Sequence, residues 1–406
     1  MSESGAVTTA VPEVGPAPGV WADVVGQPAV VAELQAAVAQ PASMTHAWLF
    51  TGPPGSGRSV AARAFAAALQ CPAGGDGSCH ECRTVLAGSH ADVHRVVPEG
   101  LSIGVAEVRQ IVRTAGRAPS QGRWQIVVVE DADRMTEQAS NTVLKMLEEP
   151  PPRTVFLLCA PSLHPDDVPV TIRSRCRVVP LRTPRIEAVA EVLVRRDGID
   201  PALAAWSAAA AGGHVGRARH LARDEAARLA RKAVLDIPLS LVSLAACLNA
   251  ADDLVASAKD ESDKTVAEVD AAETDAVKAS LGVGARGPGV AAASRGAGQL
   301  KELEKRQKSR ATRLGRDSLD RALVDLAALY RDALVISASA DAGSELTVPL
   351  AHPDRRADAV ELARRIGAEG ALRRIDAVLD ARTALEQNVK PQIAIEALTV
   401  ALRLPA

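Results

Sequence analysis

The sequence predicts an α/β core built on five parallel strands, followed by helical regions that carry the rest of the chain. Three observations predict it. Short apolar, β-branched runs alternate with helical stretches between residues 21 and 181, the pattern of a parallel sheet covered on both faces. The first run enters a glycine-rich loop and then an alanine-rich helix. Beyond Thr183 the apolar spacing turns helical, with a Gly212-Gly213 break and one charged interruption further on.

Length and composition fit that reading. A 406-residue chain exceeds one core at roughly 100–200 residues per domain. It is 47% hydrophobic with four Trp, three Phe and one Tyr, so Ala, Val and Leu fill its cores. A formal charge of −2 leaves no global field to draw it onto nucleic acid, and any DNA contact must be local. Residues 1–20 have neither a basic start nor an apolar centre and read as a disordered tail. Stretches such as Leu241–Leu248 fall short of the roughly 20 residues a bilayer needs. A cytoplasmic protein with no membrane partner is expected.

The strands are expected at Ala47–Thr51, Asp92–Val97, Gln125–Val129, Thr154–Ala160 and Arg177–Leu181. After the first comes Gly52-Pro53-Pro54-Gly55-Ser56-Gly57-Arg58-Ser59, then the helix Val60–Leu69. In this strand, loop and helix context Gly52, Gly55 and Gly57 let backbone N–H groups wrap a phosphate, as in a Walker A loop. Arg58 stands where lysine is expected, and its planar fork cannot occupy the point an ammonium fills. Charge is kept and geometry is not. ATP or ADP binding stays open, and hydrolysis is expected to be lost.

The third strand ends in Glu130-Asp131, the reverse of the Asp-Glu order by which a motor holds Mg²⁺ and orients water. Asp131 is one methylene short of the glutamate, and misplacement by about 1 Å costs around a hundredfold in rate. The alternative is that both acids only cap a strand. The fourth strand ends in Ala160-Pro161, which offers no side-chain donor to sense a γ-phosphate.

Four stretches then match a known family: Trp21–Gln27, His46–Phe50, the run Thr136–Pro151 containing Leu147-Glu148-Glu149-Pro150-Pro151, and Pro169–Cys176 containing Ser174-Arg175-Cys176. They closely resemble bacterial DNA polymerase III clamp-loader subunits of the AAA+ class, over about residues 21–235 and more weakly over 316–406. The resemblance implies a P-loop AAA+ core at 21–181, a helical lid at 182–237 and an all-α collar at 238–406. It makes Arg175 a finger that reaches the ATP of an adjacent subunit, places Val25, Gly26 and Gln27 at the adenine end of a nucleotide pocket, adds Ser59, Glu130 and Asp131 to that pocket, and makes Arg217 a sensor from the lid. Motor subunits keep Lys and Asp-Glu. Delta-prime subunits are degenerate at both, and this sequence falls on that side. The implied partners are tau/gamma-type and delta-type subunits, a sliding clamp and primed DNA.

Six cysteines divide into a cluster, Cys71, Cys79 and Cys82, and three isolated residues; clustering in a cytosolic chain points to metal before disulfides. By the resemblance, the family carries four cysteines here. Three positions are kept and Asp76 falls on the other, giving Cys₃Asp for a structural Zn²⁺ in an excursion over 70–90. His80 is the rival fourth ligand, and a degenerate module without metal is the alternative.

Residues 257–316 carry many charges and no sustained apolar stripe, which reads as a flexible or loosely helical charged insertion. Its basic end, Lys301–Arg316, has no interleaved aromatic, so any DNA contact there is electrostatic. Two rival functions remain: an ATP-hydrolysing tau/gamma-type motor or related AAA+ remodeller, and a P-loop small-molecule kinase, which the Ser174-Arg175-Cys176 segment disfavours.

Overall fold

The computed structural model describes residues 18–40, 44–280, 290–341 and 348–405. The expected tail lies outside the described residues up to residue 17. Residues 18–20 do not behave as tail, since Val20 is buried within a 3-10 turn, Gly19–Asp23. The chain continues through α1 (Pro28–Ala39), β1 (Ala47–Thr51), α2 (Arg58–Gln70), α3 (His80–Ala87), β2 (Val93–Val96), α4 (Val105–Ala115), β3 (Gln125–Val129), α5 (Glu137–Glu148), β4 (Thr154–Ala160), α6 (Val170–Arg173), β5 (Arg177–Pro180) and α7 (Ile186–Asp197). All five strands fall within a residue of their expected bounds.

The strands form one parallel sheet in the order β2-β3-β4-β1-β5. Side chains alternate between two covered faces. Trp48, Phe50, Val128, Leu157 and Cys159 pack with Leu34 of α1 and Phe65 of α2. Leu49, Val127, Val129, Phe156 and Leu158 pack with Ile111 of α4 and Leu147 of α5. Burial on both faces is why β1, β3 and β4 read as unbroken apolar runs. The order puts β4 between β3 and β1, so the carboxyl end of β4 stands between the glycine-rich loop and Glu130, the crevice where such sheets bind ligands.

Two compact units result. The first holds the sheet and residues through Gly198 with Gly213–Gly216; the second holds Pro98–Ser102, Ile199–Gly212 and Arg217 onward. The second unit is helical: α8 (Pro201–Ala210), α9 (Val215–Arg223, from Arg217), α10 (Glu225–Ser240), α11 (Leu244–Ser280), α12 (Val290–Asp341), α13 (Arg356–Glu386) and α14 (Pro391–Ala401). Gly367, at φ 64°, breaks α13 internally. The core joins Leu323, Leu326, Leu329 and Tyr330 of α12 to Leu362 and Val378 of α13 and Ile395 and Leu398 of α14.

Of the two readings of residues 257–316, the structure takes the helical one, with more order than a loose helix implies. Within the described residues they belong to the paired helices α11 and α12. Arg310 bridges Asp270 and Glu273, each at 2.9 Å, Ser262 donates to the Ala311 carbonyl at 2.7 Å, and Ala258, Ser262 and Val266, four apart, are buried. A seam of alanine, serine and one valine has too little apolar character to show as a stripe in sequence, yet lets two helices approach closely. The basic run is largely engaged inside its own unit: Arg306 with Glu99, Arg313 with the Pro98 carbonyl, and Arg316 with the Leu385 carbonyl and Asn388.

Candidate functional site

The glycine-rich loop leaves β1 and re-enters helix at Arg58, with Gly57 in the left-handed region as the N-cap of α2. Two glycines are required by space. A Cβ on Gly52 would lie 2.5 Å from the Leu181 carbonyl oxygen and 2.7 Å from Ser56 Oγ, and one on Gly55 would lie 2.7 Å from His214 Cβ. The loop therefore has room for no side chain at these two positions. Its cation is engaged within it: Arg58 Nη1 donates to the Gly52 carbonyl and folds back across the loop. Ser56 Oγ is buried there without a hydrogen-bond partner.

Glu130 and Asp131 arrive beside the loop from β3. Glu130 pairs with Arg95 of β2 at 2.8 Å, and Asp131 adopts a left-handed backbone at φ 53°. Cys159, on β4 between the two elements, shows how closely they converge. Burial pushes its thiol up, the charges of Glu130 and Asp131 push further, and Arg58 and Ser59 oppose them. Ala160, the next residue, is buried and aligned with Thr51 of β1.

The expected adenine-end residues form a turn before α1. Gly26 lies against Pro184, which a Cβ there would meet at 3.2 Å, and Val25 is half-buried beside it. Gln27 is buried. Its Nε2 donates to the Ser56 carbonyl at 3.3 Å and to the Arg182 carbonyl, while its Oε1 accepts from Arg182 N at 3.3 Å. Gln27 thus braces the loop from behind.

Arg175 lies just after α6. Its Nη1 donates to the Thr171 carbonyl at 2.9 Å, its Nη2 pairs with Glu148 at 2.8 Å, and 36% of the side chain is exposed. Arg173 differs, turning to the Leu163 carbonyl at 3.2 Å. Arg217, the expected sensor, belongs to the helical unit, where it pairs with the buried Asp325.

The cysteine cluster is built where α2 ends. Ligand atoms of Cys71, Asp76, Cys79 and Cys82 all lie within 4.8 Å of one another. The Cys71 and Cys79 sulfurs are 3.6 Å apart, close to the roughly 3.8 Å that two 2.3 Å zinc–thiolate bonds subtend in a tetrahedron. Asp76 Oδ1 accepts from Ser78 N at 2.9 Å and Cys79 N at 3.0 Å, which holds its carboxyl down at about 2 and leaves its second oxygen for a metal. Cys82 N donates to Cys79 Sγ at 3.4 Å, the polarity a thiolate requires. Burial pushes the Cys71 thiol up, but backbone N–H groups of Asp76, Gly75 and Ala73 outweigh it and leave it below its ordinary value. Burial pushes the Cys82 thiol up. The donor set fits Zn²⁺. His80 is exposed at the start of α3 and stands outside the group of four.

A family model described as DNA polymerase III, delta subunit, matches residues 26–185. The delta-prime subunit of Haemophilus influenzae is 38% identical over 159 residues, 38% of this chain and 48% of that protein. That of Bacillus subtilis is 32% identical over 157 residues, 38% of this chain and 47% of that one. Over this region the chain is similar to DNA polymerase III delta-prime subunits. It spans about half the length of those delta-prime relatives. Bacillus subtilis tau is also 36% identical over 159 residues, 38% of this chain and 28% of tau. Identity therefore does not separate delta-prime from tau, and the residues that handle phosphate have to.

Sequence reasoning missed two anchors. Asp92 opens β2 and accepts from Ser120 N at 2.7 Å, Ser120 Oγ at 2.8 Å, Gln121 N at 2.7 Å and Gly122 N at 2.6 Å. Gln70 receives Arg123 N at 2.8 Å and Trp124 N at 3.2 Å. Both grip the turn into β3 from residues distant in sequence, so no local motif announces them. Among the described residues no helix is long and apolar enough to cross a membrane.

Proposed function

We propose that this protein is a delta-prime-like subunit of the DNA polymerase III clamp loader, which acts in the cytoplasm with tau/gamma-type and delta-type subunits to place a sliding clamp on primed DNA. It binds its partners' nucleotide chemistry from outside, through Arg175, and turns over no ATP itself. The observation that carries this reading is the engagement of Arg58 with the Gly52 carbonyl. The cation that should meet a β- or γ-phosphate is turned back onto the loop's own backbone, and Glu130 is paired with Arg95. A site that stabilises a phosphoryl transition state needs those groups aimed at the phosphate. The Cys₃Asp cluster would hold a structural Zn²⁺, without a role in turnover.

In this reading Arg175 neutralises charge on the γ-phosphate bound by the adjacent subunit, a task that suits a planar guanidinium. Arg217, engaged with Asp325, would reach a nucleotide only after leaving that pair. The test is reconstitution with tau/gamma-type and delta-type subunits. Arg175→Ala is expected to assemble normally and to reduce DNA-stimulated ATP hydrolysis by the complex. A trans finger is worth roughly 10³–10⁵ at one site, diluted by sites with their own fingers. Arg175→Lys rescues poorly, and Arg173→Ala is milder. Unchanged complex ATPase in Arg175→Ala overturns the finger.

The second reading, a tau/gamma-type motor, is favoured by the tau match alone. Turnover by the isolated chain at about one per second or more would establish it over the first.

A further inference from the structure

Glu148 ends α5 and Glu149 follows it, two carboxylates where the helix macrodipole favours cations. Nothing in the stability of that helix calls for an acid there. The helix is firmly seated, with Val143 and Leu147 buried in the sheet's second core, so Glu148 projects from a rigid base. Its Oε1 meets Arg175 Nη2 at 2.8 Å. On the other side of the guanidinium, Nη1 donates to the Thr171 carbonyl at 2.9 Å and the Ser174 hydroxyl at 3.3 Å. A guanidinium has five N–H donors. Three acceptors thus fix its plane from within the subunit and leave donors over, while a third of the side chain stays open to the outside.

We propose that Glu148 is a positioning residue for Arg175: it holds the guanidinium in one orientation so that its remaining donors present to the polyphosphate of the nucleotide bound by the adjacent subunit. The inference rests on the trans-finger reading above. An unrestrained arginine must surrender rotamer freedom when it engages a phosphate, and a pre-set one surrenders less. Because both partners are half-exposed, 36% and 44%, the pair itself is weak and solvent-screened. Its effect lies in the orientation it selects.

The experiment uses the reconstituted complex, with assembly of every variant checked by mass. Glu148→Ala is expected to lower the DNA-stimulated kcat about threefold to fivefold, the range of an exposed ion pair, with KM for ATP unchanged because the nucleotide binds in the neighbour's pocket. Glu148→Gln, whose amide oxygen still accepts, should retain most activity. In an Arg175→Ala background Glu148→Ala should add nothing, since it acts only through that arginine. Full or raised activity in Glu148→Ala, or an additive loss in the double variant, overturns the positioning role while leaving the finger intact. If Arg175→Ala is itself without effect, the finger reading falls and this inference with it.

Discussion

The glycine-rich loop and the cysteine cluster lie at opposite ends of the same helix, α2, and their side chains are engaged differently. At the loop they have partners inside the protein: Arg58 on Gly52, Glu130 on Arg95, Gln27 on Ser56 and Arg182. At the cluster four donors, one of them the Asp76 carboxylate, converge within 4.8 Å of one another. Survival of a motif and survival of a site are separate properties. What separates them is whether the ligand-binding groups remain unsatisfied by the fold.

The largest expected effect comes from breaking the cluster. Freshly prepared, chelator-free protein should carry about one zinc per chain, and Cys79→Ser with Cys82→Ser should remove it. A self-contained excursion would loosen alone, but Cys71 and Cys82 are fully buried in the same core as Trp21, Trp48 and Phe65, and Gly75 lies against Val20 and Trp21. Metal loss should therefore cost several kcal/mol and lower the melting temperature by roughly 10 °C or more, with hydrogen exchange rising over residues 19–24 as well as 71–88. Elemental analysis without zinc would leave the cluster as degenerate as the loop and dissolve the contrast.

How much of this was legible in sequence follows the range of the interactions. The five strands and the phosphate loop are written in local apolar runs and glycine spacing, so they were read within a residue. The cysteine cluster was readable because its donors sit within twelve positions, and geometry resolved only Asp76 against His80. The partners of Arg58 and Glu130 were not readable, because nothing in a sequence says that Arg95 on a neighbouring strand will meet Glu130. The α11–α12 pair escaped for a different reason: its seam of Ala258, Ser262 and Val266 is nearly neutral in polarity.

A middle-sized effect tests what a satisfied carboxylate looks like beside Asp76. Four donors within 2.8 Å surround Asp92. Burial pushes its carboxyl up, but the N–H groups of Gly122, Ser120 and Gln121 outweigh it and hold it at about 2. Asp92→Asn should cost about 2 kcal/mol, the scale of hydrogen bonds to a charged group, measured by denaturant unfolding at neutral pH. The folded value lies below the unfolded one of about 3.9. The contribution is thus fully present above pH 4 and fades as pH falls through 2, and the difference between wild type and variant should shrink over that window. A constant difference down to pH 2 would mean the charge is not what holds the turn.

The smallest effect is also the most direct probe of the loop. Arg58→Lys exchanges a fork that reaches back to the Gly52 carbonyl for a compact ammonium on the same backbone, where Gly52, Gly55 and Gly57 all take positive φ. Nucleotide affinity, measured by calorimetry with ATP and Mg²⁺, should rise by about tenfold, the scale of one charge-assisted contact regained. Turnover should stay negligible, because Glu130 remains on Arg95, Asp131 remains one methylene short, and Ala160 still offers no donor. Binding without hydrolysis would place the loss of catalysis in several elements at once. If the single lysine restores motor-like turnover, the reversed acids are competent, the loop had been silenced by one residue, and the distinction between a spent site and a living one collapses to Arg58.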